Sequence, residues 1–135
     1  MEPILHLSIP VRELAESIDF YTEVLGCGLG RVQGGDADVW FYGMQVTLHE
    51  RPEQVVPRES NGVRHFGVTL GADDLRALLQ RVGSHPVEFA SKLATDYAGT
   101  PREQTKAKIF DPSGNVIELK TYVNAAAALS PPPRS

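Results

Sequence analysis

"RHFGVTLGADDLRALLQRVG", residues 64–83, reads as a short strand, a turn at Gly71 and a helix whose Leu75, Leu78, Leu79 and Val82 form one stripe. An earlier stretch follows the same plan. In "ILHLSIPVRELAESIDFYTEVLG", residues 4–26, a strand places Leu5, Leu7 and Ile9 on one face and Ile4, His6 and Ser8 on the other, ending near Pro10. A helix over residues 12–25 follows, with Leu14, Ile18, Tyr21 and Leu25 at helical spacing and Gly26 to stop it. Setting His6 against His65 also sets Val11 against Leu70, with Leu14 one residue out of step with Leu75. The chain is therefore a tandem repeat of about 60 residues, strand–helix–strands twice over, and the fold class it implies is α+β.

Working outward, module one occupies residues 1–50 and ends in "DVWFYGMQVTLHE", which has room for two strands turning near Gly43. Residues 51–62, "RPEQVVPRESNG", have the polar, proline-containing composition of a linker. Module two, residues 63–122, follows its helix with two or three strands, the last carried by "IFDPSGNVIELK", residues 109–120. Residues 1–122 form one domain, and the Ala- and Pro-rich tail, residues 123–135, is expected to be disordered.

Composition narrows the function classes. Apolar residues make up 41% and charged residues 22% of the 135, as in a soluble globular protein. A net charge of −4 argues against a nucleic-acid surface, which needs clustered Lys and Arg. No apolar run approaches the ~20 residues of a membrane helix. The start lacks the basic region of a signal peptide, so a cytoplasmic location is expected. Cys27 is alone, which rules out an intrachain disulfide and fits a reducing compartment.

Glu118 stands out because it sits among Val116, Ile117 and Leu119 in a strand built for burial. A buried carboxylate must be protonated, paired with a cation or bound to a metal. His6 and His65 occupy repeat-equivalent strand positions. If the modules pack about an approximate two-fold axis, their imidazoles face each other across one cavity, with Glu118 as third candidate. Two His and one carboxylate suit divalent Fe, Mn, Ni or Zn and leave one side of the ion open to substrate, water or dioxygen.

Three segments, "LHLSIPVRELAESIDFYTEVLG", "RHFGVTL" and above all "FDPSGNVIEL", resemble the vicinal oxygen chelate superfamily of glyoxalases, fosfomycin-resistance enzymes, bleomycin-resistance proteins and extradiol dioxygenases. The resemblance covers residues 4–122. It implies two βαβββ modules forming an incomplete barrel around a metal, with His6, His65 and Glu118 as the ligands, and a homodimer whose sites draw on both chains. The turn Asp111-Pro112-Ser113-Gly114 fits, since it sets the register that aims Glu118 inward.

The superfamily shares a way of chelating oxygen rather than one reaction. Its bleomycin-sequestering branch generally lacks the metal ligands, and this chain keeps all three. Lyases and epimerases add a fourth ligand from module one; Gln45, Thr47 and His49 share a face, and only one can lie level with the metal. Thr47 there leaves a three-ligand, dioxygenase-like site, and Gln45 favours a lyase or isomerase. Extradiol cleavage also needs a His or Tyr to take a proton. The chain has Ile109-Phe110 where well-known catechol enzymes have Tyr, so His49 and Tyr122 are the catalytic candidates. Ser8, Thr47, Arg102, Lys106 and Lys120 are the candidates for substrate binding, the last three toward an anionic group. A cationic cluster of the kind fosfomycin-type thiol transfer requires is not evident. The expected function is a metal-dependent small-molecule enzyme, extradiol-dioxygenase-like with Fe(II) or with Ni, Co, Zn or Mn, the alternatives being a glyoxalase-like lyase or an antibiotic-sequestering protein.

Overall fold

The computed structural model describes residues 1–130. β1 (His6–Val11) leads into α1 (Leu14–Asp19), which widens into a π-helical stretch (Phe20–Val24) before β2 (Gly28–Gln33), β3 (Asp36–Phe41) and β4 (Met44–Glu50). The second unit repeats this order: β5 (Phe66–Thr69), α2 (Ala72–Gly83), β6 (Phe89–Asp96), β7 (Gln104–Phe110) and β8 (Val116–Tyr122). Each unit forms its own four-stranded sheet, ordered β1-β4-β3-β2 and β5-β8-β7-β6. In both, first and last strands pair in parallel and the rest antiparallel, so each is a βαβββ unit. The sheets do not close into a barrel within the chain.

Period-two alternation sorts each sheet into a packed and an open face. From sheet one, Val11, Ala37, Val39, Phe41, Val46 and Leu48 are buried. Ile109, Ile117 and Leu119 of sheet two join Leu75, Leu78 and Val82 of α2, and both modules share one apolar cluster. Each such side chain contributes roughly 1.5–3 kcal/mol through its burial. The open faces carry the ligand-type residues, because His6, Ser8, Thr47 and His49 fall on the other parity.

The modules are also pinned to each other. Tyr21 Oη donates to Asp111 Oδ2 at 2.8 Å, the Arg12 amide donates to Ser113 Oγ at 2.9 Å, and Asn115 Nδ2 reaches the Pro10 carbonyl at 3.1 Å. The connecting segment is anchored too: Arg58 stacks on Phe110 and pairs with Glu88, and Asn61 donates to the Gly114 carbonyl.

Two features differ from the sequence expectation. β2 lies in the glycine-containing stretch ahead of Asp36, to which the sequence pattern assigned no strand; its residues are all exposed, and backbone pairing with β3 makes it a strand. Part of the tail expected to be disordered forms α3 (Ala125–Leu129), where four alanines of high helix propensity follow an Asn124 side chain that caps the Ala127 amide. The remaining tail residues, 131–135, lie outside the described residues. Burial pushes the Cys27 thiol up to about 11, so it stays protonated and is no nucleophile. Among the described residues no helix is long and apolar enough to cross a membrane.

Candidate metal centre

The Asp111–Gly114 turn places Glu118. Asp111 Oδ1 accepts from the amides of Ser113 and Asn115 at 2.8 and 2.9 Å, and Gly114 adopts the left-handed conformation the turn requires. The resulting register sets Lys108 directly opposite Glu118 and Lys106 opposite Lys120. On its other side Glu118 pairs with Gly67 of β5. That position has to be glycine, since a Cβ there would lie 2.0 Å from the Glu118 carbonyl oxygen.

Glu118 is 8% exposed. Its carboxylate is shared, with Lys120 Nζ at 3.3 Å from Oε1 and Lys108 Nζ and His65 Nε2 at 3.9 and 3.8 Å from Oε2. Pairing with a cation, one of the alternatives the sequence left open for Glu118, is thus met by lysines of the chain itself, and a metal would be a further cation. His65 Nδ1 lies 2.7 Å from the Val63 carbonyl, which can only accept, so Nδ1 carries the proton. That bond leaves Nε2 as the ring nitrogen that faces Glu118. The two groups line a cleft of about 310 Å³ with Thr69 and Lys120. A neighbouring apolar hollow of about 330 Å³, lined by Leu7, Ile9, Val56, Phe66 and Val116, also reaches His65.

Sheet one holds the other candidates. His6 Nε2 lies 3.1 Å from Ser8 Oγ on the exposed start of β1. Ser8, Thr47 and Asp38 form one rung there, as Gly67, Glu118 and Lys108 do in sheet two. Register therefore gives Thr47 the place that Glu118 holds in the second module. Thr47 Oγ1 donates to the buried Asp38 at 2.8 Å, and Arg31 lies 3.5 Å from the same carboxylate. His49 Nδ1 donates to Asp36 Oδ1 at 2.8 Å, leaving Nε2 as an acceptor.

Within one chain the candidates fall into two groups. His65, Glu118 and Lys120 come together, whereas His6, Ser8, Thr47 and His49 lie on the other sheet. Among the described residues, no three His, Cys, Asp or Glu side chains gather closely enough to hold a metal. Tyr122 sits under Lys120, with Nζ 5.4 Å from its ring centre. Arg102 is exposed and stacks on Tyr97 at 5.0 Å, and Lys106 pairs with Asp96 at 3.1 Å. Sequence reasoning missed two residues, Lys108 and Asp36. Counting outward from the hairpin turns would have found both, since each faces a selected residue across its hairpin. Lys106, Lys108 and Lys120 also lie together on the open face of sheet two, each beside a carboxylate. His65 and Glu118, which do meet within the chain, offer one nitrogen and one oxygen donor of the kind a divalent transition metal takes.

Residues 3–119 match the family model of the Glyoxalase/Bleomycin resistance protein/Dioxygenase superfamily, and the chain belongs to that superfamily. It is 26% identical over 129 residues to Glutathione transferase FosA of Serratia marcescens, covering 95% of this chain and 85% of that protein. It is also 26% identical to Virulence protein STM3117 of Salmonella typhimurium over 130 residues, or 91% of this chain and 86% of that one. Among solved structures, a glyoxalase/bleomycin resistance protein/dioxygenase from Alicyclobacillus acidocaldarius superimposes with a TM-score of 0.83 at 29% identity, covering 93% of this chain and 95% of the other.

Proposed function

We propose that this superfamily member is a metal-dependent enzyme acting on an oxygen-bearing small molecule, its metal held by His65 and Glu118 of one chain and His6 of a second in a homodimer. The observation that carries the reading is the His65–Glu118 pair, an imidazole locked by Val63 with its free nitrogen 3.8 Å from a sheltered carboxylate. His6, the repeat counterpart of His65, is the natural third ligand, and its own chain does not bring it there. A second copy supplies it and covers the exposed Leu5, Trp40 and Val63 beside the two half-sites. Fe(II), Mn(II), Ni(II), Co(II) and Zn(II) all suit two nitrogens and one oxygen donor.

A metal bound there supplies Lewis acidity to a substrate oxygen. The chain's residues do the rest. Asp36 holds His49 in the tautomer whose Nε2 can take a proton from an incoming thiol or water. The Ser8 and Thr47 hydroxyls line the same face for hydrogen bonds to substrate, and the apolar hollow beside His65 takes its hydrocarbon part. The reaction favoured is addition of a thiol or water to an electrophilic small molecule. The similarity to a glutathione transferase over 95% of the chain supports it.

One observation favours a second reading, ring-opening dioxygenation of a catechol-type diol with Fe(II). Thr47 holds the place where a fourth ligand would come and is engaged with Asp38, so adjacent positions stay open for diol and dioxygen. A lyase, which needs that fourth ligand, loses support for the same reason.

Glutathione consumption with electrophiles such as epoxides, run beside oxygen uptake over catechols in protein loaded with each metal, tests the proposal. Metal-dependent thiol consumption that drops about 100-fold in His49→Ala supports it. Fe(II)-dependent oxygen uptake selects the dioxygenase. Ligand binding without turnover under every metal leaves a sequestration protein and rejects the enzyme.

A further inference from the structure

We infer that Glu118 is a charge clamp: it neutralises Lys108 and Lys120 while no metal is bound and releases them when it ligates one, so that an oxyanion substrate binds after the metal. The inference rests on the metal reading above and adds the charge of the substrate and the order of binding.

Three lysines share the open face of sheet two, on adjacent rungs of β7 and β8. Lys106 and Lys120 stand directly opposite each other, an arrangement of like charges that destabilises a sheet. Lys106 is answered by Asp96 at 3.1 Å. Lys108 and Lys120 have one carboxylate between them, with Glu118 Oε1 facing Lys120 at 3.3 Å and Oε2 facing Lys108 at 3.9 Å. The carboxylates on the open face of sheet one are engaged by their own cations. Asp38 meets Arg31, and Asp36 meets Arg51 while accepting a hydrogen bond from His49. A second copy that brings this face to the site therefore brings no free negative charge with it.

Both lysines keep about a third of their side-chain surface in water, 32% for Lys108 and 27% for Lys120, so their ammonium groups can reach a ligand. When Glu118 ligates a dication, its negative charge is answered by the metal, and its hold on the two lysines weakens. Two ammonium groups then flank that dication without a counterion. The complement is a phosphate, phosphonate or carboxylate group placing one oxygen on the metal and the others between Lys108 and Lys120. A neutral substrate leaves both ammonium groups unanswered. By linkage, metal and anion tighten each other's binding by the same factor.

Isothermal titration of inorganic phosphate tests the clamp in the full chain, with and without Mn(II). Glu118→Gln keeps the size of the side chain but removes its charge, and so imitates the release with no metal present. Metal-free Glu118→Gln should bind phosphate about ten-fold more tightly than metal-free wild type. Adding Lys108→Met and Lys120→Met to Glu118→Gln should abolish that gain. In anion-free buffer the two lysine substitutions alone should tighten Mn(II) binding, because two cations no longer compete for Glu118. Equal phosphate affinity in metal-free wild type and Glu118→Gln, both folded by circular dichroism, overturns the proposal. A gain in Glu118→Gln when wild type binds no Mn(II) keeps the neutralisation of the two lysines by Glu118 but overturns their release by metal, and rejects the metal reading with it.

Discussion

Gly67 and Glu118 show how much of the site depends on single positions. The parallel pairing of β5 and β8 brings the Gly67 backbone against the Glu118 carbonyl so closely that no side chain fits between them. Gly67→Ala should therefore cost about 3 kcal/mol in a urea titration and displace Glu118 from His65. Gly71→Ala, where a Cβ meets nothing within 4 Å, is the control and should stay within about 1 kcal/mol of wild type. Equal stability of the two variants would show that β5 and β8 are not so closely apposed. His6, His65 and Glu118 were legible in the sequence because each is an anomaly in an apolar strand. Lys108 and Asp36 were not, since a lysine or aspartate in a strand reads as a solvated residue. Their roles come from cross-strand register, which becomes visible once the hairpin turn is placed.

The turn before β8 is held by an unusual carboxyl group. Asp111 is buried, and burial raises its pKa against the opposing bonds from Asn115, Tyr21 and Ser113. The folded chain therefore keeps this proton to a higher pH than the unfolded chain. Its contribution to stability is present at acid pH, below the ordinary value near 4, and is lost as pH rises through the raised folded value. Asp111→Asn cannot ionise, so the stability of wild type relative to Asp111→Asn should fall as pH rises from about 4 toward neutrality. A difference that stays flat or grows over that range would place the Asp111 shift in the other direction. Elements with a burial stripe, such as α2 and β4, could be read from the sequence directly. β2 could not, because pairing with β3 rather than burial defines it, and α3 was obscured by the proline-rich residues beside it.

At the scale of the whole molecule, the repeat announced two βαβββ units because the same strand–helix pattern returns with His6 and His65 in register. The relation between the two open faces was not legible in the residue pattern alone, although the family resemblance implied sites drawn from both chains. Internal symmetry suggested that the two imidazoles of one chain meet across a cavity, but the modules join through their packed faces and through Tyr21, Asp111 and Asn115. That leaves both open faces turned away from the shared core, each with part of a ligand set. The metal site proposed above is therefore built from two chains, and metal analysis of mixed subunits tests that proposal directly. His6→Ala and Glu118→Ala homodimers should each bind almost no metal. Their heterodimer should hold about one metal per pair of chains, because one site carries both substitutions and the other carries neither. Metal-free heterodimers, after subunit exchange is confirmed by mass-tagged chains, would contradict the account and return all three ligands to a single chain.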